Sequence, residues 1–281
     1  MRSAGVEVWA RRAESGGLDA TPDAVALEEP LEIRLAAGGE RRTLAVTMRT
    51  PGDDVALAAG FLHGEGLVRD RALISGLRTL VEEDPDSGAR SDVVEVELAA
   101  RRLPNLRSLE RHVFTGSACG VCGRVVLDEH LVGDCRPPAP GPAVAAETLD
   151  ALPGTLRAAQ EGFAATGGLH AAALFTPDGT LLAAAEDVGR HNALDKLIGR
   201  ELLEGRLGPE RALERCTVLV SGRASFELVQ KALAAGVPIL CAVSAPTSLA
   251  VEVAGRFGMT LVGFLREGRF NVYCGRERIA G

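Results

Sequence analysis

Long apolar runs are missing from this chain. None of its 281 residues falls in a stretch of the roughly twenty that a bilayer-spanning helix needs. The opening residues, MRSAGVEVWARRAESGG, have neither the apolar core nor the small-residue cleavage site of a secretory signal. Together these absences predict a cytoplasmic protein with no membrane association. An excess of positive charge is also missing: the formal net charge is −7 and the pI near 5.4, which argues against a nucleic-acid backbone as the main partner. Lysine occurs only at Lys196 and Lys231, and aromatics make up 4%. That bias reflects genome composition and carries no functional reading. The cysteines stand at 119, 122, 135, 216, 241 and 274, and in a reducing cytoplasm they are not expected to form a disulfide framework. Cys216, Cys241 and Cys274 lie in or beside apolar, strand-like stretches and read as core residues.

What is present is a chain that is 46% apolar, large enough for a substantial core and for two domains. The first half reads as α+β. Leu31 to Leu35 and Arg42 to Met48 predict strands, Asp53 to Glu65 a helix, and the apolar–acidic alternation of Val93 to Leu98 a half-exposed strand. The stretch Arg136-Pro137-Pro138-Ala139-Pro140-Gly141-Pro142 is the best linker, giving an N-terminal α+β domain over 1–135 and a C-terminal α/β domain over 143–281. Beyond it, a helix around Glu147 to Ala164 precedes a hairpin, Leu169 to Phe175 and Thr180 to Ala185. Short strands at Thr217 to Val220, Val237 to Val243 and Thr260 to Leu265 then alternate with helices at Ser225 to Ala235 and Thr247 to Phe257. This rhythm predicts a largely parallel sheet covered on both faces.

The densest chemistry is Cys119-Gly120-Val121-Cys122-Gly123-Arg124. Two thiols separated by two residues can supply half a metal site, form a reversible disulfide, or pass sulfur from one to the other. Glycines at 116, 120 and 123 suit a loop that moves or lies close to a partner. Arg111, His112 and Arg124 bring positive charge that favours thiolate. Cys119, Cys122, His130 and Cys135 have zinc-ligand types at imperfect spacing. A zinc deaminase-like hydrolase would pair His63-Gly64-Glu65 with a later Pro-Cys-x-x-Cys, but Ala118 replaces the proline. No structural metal is expected.

Ligands of such sheets bind at the strand-to-helix loops. Here these are Glu186-Asp187-Val188-Gly189-Arg190-His191-Asn192, Ser221-Gly222-Arg223-Ala224-Ser225 and Ser244-Ala245-Pro246-Thr247-Ser248, and three polar loops at one sheet end point to an anionic ligand. Ser225 and Thr247, taken singly, read as helix caps. His191 is an acid–base candidate or a helix brace, and His170 reads as a core histidine. Arg266 and Arg269 flank a glycine turn, in a form suited to phosphate recognition.

The segments CGVCG, TGGLHAAALF, EDVGRHNALDK, SGRAS, AVSAPTSLAVEVA and VGFLREGRFNVY occur in one order, and over roughly residues 25 to 275 the chain resembles the FdhD family, the formate dehydrogenase accessory sulfurtransferases. The resemblance implies a cytidine-deaminase-like α/β/α layered C-terminal fold beside the smaller N-terminal α+β domain, and a homodimer. It implies a sulfurtransferase that takes sulfur as a persulfide from a cysteine desulfurase. That sulfur passes to the molybdenum or tungsten bis(molybdopterin guanine dinucleotide) cofactor before its insertion into formate dehydrogenase. Cys119 takes the persulfide-bearing role with Cys122 as companion, and the cofactor-binding segment maps onto Phe264, Leu265, Arg266, Glu267, Gly268 and Arg269. Asp187 is a candidate for guanine recognition. A cofactor-binding chaperone with incidental thiols and a thiol-disulfide oxidoreductase are the competing readings.

Overall fold

The computed structural model describes residues 3–11, 18–83, 88, 90–106, 136–207 and 212–281. The segment with Cys119, Cys122, His130 and Cys135 lies outside the described residues, as do Arg111, His112 and Arg124.

The chain opens with a hairpin of β1 (Ser3–Arg11) and β2 (Leu18–Ala26). This hairpin is not among the predicted strands, although the alternation through Gly5-Val6-Glu7-Val8-Trp9 is a two-residue period. Strands β3 (Glu29–Ala37), β4 (Glu40–Arg49), β5 (Ile74–Glu83) and β6 (Arg90–Leu98) form a sheet in the order β4-β3-β6-β5. Strand β6 corrects the half-exposed expectation: it lies between β3 and β5 and is buried from Val93 to Val96. The acidic residue in that run, Glu95, is buried because Arg41 and Arg78 reach over it at 3.2 and 2.9 Å.

Helix α1 (Asp54–Gly64) is apolar nearly all round, and Ala56 to Gly60 are all buried, the mark of a helix enclosed on every side. It lies against α4 (Arg190–Leu203) of the second half. The two approach at a pair of glycines: a Cβ on Gly60 would come 1.9 Å from the Asp195 carbonyl oxygen, and one on Gly199 1.8 Å from that of Ala56. One apolar cluster therefore runs from Leu31 and Val94 through Leu57 and Leu62 to Leu194, Val218 and Leu240. The halves on either side of the proline-rich stretch have separate sheets and share this core.

In the second half, β8 (His170–Phe175), β9 (Leu181–Asp187), β10 (Thr217–Val220), β11 (Ile239–Ala242), β12 (Thr260–Arg266) and β13 (Arg269–Cys274) form one sheet, ordered β13-β12-β11-β10-β8-β9. Only β10 to β12 run parallel, and the other pairings are antiparallel. The sheet is mixed rather than largely parallel, because a hairpin closes each side of the parallel trio. Its strands alternate between faces. Val218 and Val220 join α4, α5 (Phe226–Ala234) and α6 (Ser248–Arg256) on one side. Leu219, Cys241 and Val262 meet Leu149, Leu152 and Leu156 of α2 (Ala146–Ala159) on the other. The single helix expected over Glu147 to Ala164 breaks at Gln160, and α3 (Glu161–Thr166) follows. Two short strands, β7 (Val144–Ala145) and β14 (Ile279–Ala280), pair beside α2, where buried Arg278 donates to the carbonyls of Pro140 and Gly258 at 2.6 and 2.8 Å. Cys216 and Cys241 are buried and Cys274 half-buried, and burial pushes all three thiols above their ordinary pKa. They are poor nucleophiles.

Candidate functional site

The strand-end loops continue the sheet past its last regular pairs. Ser221 N–H donates to Ala171 O at 2.9 Å, Ser244 N–H to Gly222 O at 3.2 Å and Phe264 N–H to Ser244 O at 3.1 Å. Neighbouring strands lie about 4.8 Å apart, so the rim from His170 at the start of β8 to Phe264 near the end of β12 spans about 14 Å, the scale of a nucleotide.

Most of the motif EDVGRHNALDK is structural. The Glu186 carboxylate accepts from the N–H groups of Gly162 and Phe163, each at 2.8 Å, and so caps α3. Asp187 is fully buried. Its oxygens accept from Thr50 N–H at 3.1 Å, Gly189 N–H at 2.8 Å and the Asn192 amide at 3.0 Å, and Lys196 Nζ lies 2.7 Å away. A carboxylate so occupied has nothing left for a guanine, and the guanine-recognition expectation for Asp187 is corrected. Lys196 also donates to the carbonyls of Thr50 and Glu186 at 2.8 and 3.3 Å, and Asn192 to Met48 O at 2.8 Å. The knot ties the start of α4 to the turn between β4 and α1. The second buried pair, Asp195 and Lys231 at 2.8 Å, ties α4 to α5. The chain's only lysines thus both serve buried carboxylates. A compact ammonium with three donors fits such pockets better than a planar guanidinium. Sequence reasoning missed both pairs, and the scarcity of lysine was the signal available.

Arg190 and His191, in the first turn of α4, take no part in this knot. His191 Nε2 lies 3.2 Å from Ser225 Oγ and 3.0 Å from Glu227 Oε2. That hydrogen bond is the main reason Glu227 is held below the usual carboxylate range. Ser225 makes no side-chain cap, which overturns the capping expectation for it. Thr247 does cap, accepting from Ala250 N–H at 3.4 Å. His170 is half-buried at the first residue of β8 rather than in the core, and burial first, then Arg190 and His191, lower its pKa.

At the other end, β12 and β13 form the expected hairpin. Phe264, half-buried, has a φ of 53°, a conformation costing a bulky residue about 1–3 kcal/mol; it sits at an irregularity in the pairing between Gly263 and Arg266. A Cβ at Gly263 would lie 2.8 Å from Pro246 Cδ and 2.9 Å from the Tyr273 ring, so only glycine fits beneath the strained residue. Arg266 and Arg269 face each other across the hairpin and are exposed with Glu267 and Gly268. Like charges directly opposite are unfavourable, which suits a site that receives an anion. Leu265 is fully buried in the core on the α2 side. Only its backbone can reach a ligand.

His63, of the deaminase-type reading, is buried in the last turn of α1 with its Nδ1 unpaired among the described residues. Its pKa is lowered to about 4, by burial first and then by Lys231 and Arg69. No cluster of three or more His, Cys, Asp or Glu side chains fit to hold a metal occurs among the described residues, and among them no helix is long and apolar enough to cross a membrane.

A family model described as the FdhD/NarQ family matches residues 26–280. The chain is 50% identical over 272 residues to the sulfur carrier protein FdhD of Streptomyces coelicolor, covering 96% of this chain and 93% of that one. It is 52% identical over 258 residues to the protein of the same name from Nocardia farcinica, covering 92% and 88%. The crystal structure of a candidate formate dehydrogenase accessory protein from Desulfotalea psychrophila superposes with a TM-score of 0.71 at 24% identity over 99% of each chain, which bears on the fold alone.

Proposed function

Because the chain belongs to the FdhD/NarQ family, we propose that it is a cytoplasmic sulfur carrier serving formate dehydrogenase, acting as a sulfurtransferase. Cys119 takes sulfane sulfur from a cysteine desulfurase, and Cys122 is its companion. The sulfur goes to the molybdenum or tungsten bis(molybdopterin guanine dinucleotide), which is substrate here and sits in the strand-end crevice against Phe264 to Arg269. The reading is carried by half-identity along nearly the whole chain to proteins named as sulfur carriers, together with the Cys-x-x-Cys pair at Cys119 and Cys122 in the sequence.

The loading step balances without an added oxidant. The Cys119 thiolate attacks the terminal sulfur of the donor persulfide, a new S–S bond forms, and the donor leaves as thiolate. For release, attack of Cys122 on the Cys119 sulfur expels the outer sulfur as hydrosulfide and leaves a disulfide, which a cellular dithiol must reduce. Direct transfer from the Cys119 persulfide is the alternative. In either case the protein supplies positioning and charge for an anionic substrate.

Intact-mass spectrometry after incubation with a desulfurase, pyridoxal phosphate and L-cysteine tests this. A gain of about 32 Da per sulfur, removed by reductant and lost in Cys119→Ala, is the expected result. No gain in the unsubstituted protein would refute the carrier reading.

A further inference from the structure

Two side chains able to carry positive charge, His170 and Arg190, meet beside Gly222 at the β8 and β10 end of the sheet, with His191 next to Arg190 in the first turn of α4. His170 Nδ1 and Arg190 Cδ flank Gly222, at 3.5 and 3.6 Å from the point where a Cβ would stand. Arg190 and His191 both bear electrostatically on His170. The nearby carboxylates have closer partners, Asp187 in Lys196 at 2.7 Å and Glu227 in His191 at 3.0 Å, although Arg190 also acts on Glu227 and Asp187 on His170 through space. Arg190 Nε is buried with no hydrogen-bond partner among the described residues. A buried guanidinium donor left unpaired is costly, and a missing acceptor is its usual explanation. Ser225 makes no cap and instead lies 3.2 Å from His191 Nε2; the other ring nitrogen has no hydrogen bond among the described residues. Arg223, one residue beyond Gly222, is exposed.

We propose that this notch, formed by Arg190, His170 and His191 around Gly222, binds a phosphate group, as a site separate from the arginines of the hairpin. The guanidinium Nε–H and the His170 ring donate to phosphate oxygens, and His191, braced by Ser225 and Glu227, adds a third donor when protonated. Gly222 lets the oxygens approach the backbone between the two flanking side chains. The proposal deepens the nucleotide reading above and rests on it for the identity of the ligand, but the notch itself requires only a phosphate.

The test is calorimetric titration of the full chain with inorganic pyrophosphate, and in parallel with GDP and guanosine. The proteins are the unsubstituted chain, Arg190→Gln, Arg190→Lys and, as a control on the opposite face of the sheet, Arg157→Gln. Pyrophosphate binding should weaken about tenfold or more in Arg190→Gln, recover partly in Arg190→Lys and stay unchanged in Arg157→Gln, since a hydrogen bond to a charged group carries roughly that factor. Guanosine binding should be indifferent to Arg190. Equal pyrophosphate affinity in the unsubstituted and Arg190→Gln proteins, or none in either, would overturn the notch. Pyrophosphate binding through Arg190 with GDP bound no more tightly than pyrophosphate would leave the notch standing and refute the nucleotide reading. Thermal unfolding of each variant separates lost binding from lost folding.

Discussion

Two sets of charges on α4 are handled in opposite ways. Lys196 and Asp195 are buried and face carboxylate and ammonium partners at 2.7 and 2.8 Å. Arg190, in the first turn of the same helix, lies beside Gly222 with its Nε unpaired among the described residues. The first set fixes where the helix sits, and the second is what the fixed helix presents. A conspicuous motif can therefore be mostly scaffold: in EDVGRHNALDK the acidic residues and the lysine are spent on one another, on Lys231 and on the backbone, the histidine is held by Ser225 and Glu227, and Arg190 keeps an unpaired Nε among the described residues.

The comparison breaks most directly at Lys196. Lys196→Met should strand a buried Asp187 and cost about 3–5 kcal/mol, whereas Arg190→Gln should stay within about 0.5 kcal/mol; denaturant titration of the two variants decides whether they differ in kind. Next in size is the glycine contact that carries α4 against α1. Gly199→Ala, with its Cβ driven at the Ala56 carbonyl, should cost about 1–3 kcal/mol, measured the same way. Third is pH. His63 has a folded pKa of about 4, below its ordinary value, so the unfolded chain takes up the proton first as pH falls. Its contribution is complete above about pH 6.5 and declines toward pH 4; unfolding free energy should drop by about 2 kcal/mol between pH 7 and pH 5, and a His63→Gln variant should lose that part of the slope. The smallest effect sharpens the contrast between the two N-cap residues: Thr247→Ala should cost about 1 kcal/mol for its lost cap, and Ser225→Ala, which loses no cap, about 0.5 kcal/mol or less.

Much of this was legible in the sequence where local pattern decides. The strands at Thr217, Ile239 and Thr260, the helices after Ser225 and Thr247, and the hairpin around Gly268 follow from period and turn chemistry, and α1 came within a residue of its observed ends. What could not be read depends on pairing across the chain. The antiparallel pairing of β8 with β10, the burial of Glu95 under Arg41 and Arg78, and the closing of the Asp187–Lys196 pair on Thr50 join residues far apart in sequence, beyond the reach of any local pattern. Asp187 looked like a ligand residue for the same reason: a carboxylate in a strand-end loop has no visible partner until Lys196 and Thr50 are folded onto it. Ser225 stood where caps stand, and its actual partner, His191, lies 34 residues earlier.

The most direct test of the account is maturation of formate dehydrogenase in cells lacking their own accessory protein, supplied with this chain, with Cys119→Ala or with Arg190→Gln at matched expression. The account predicts full activity with the unsubstituted chain, none with Cys119→Ala although that protein is folded, and reduced activity with Arg190→Gln. Full activity with Cys119→Ala would contradict it and leave a protein that binds the cofactor without carrying sulfur.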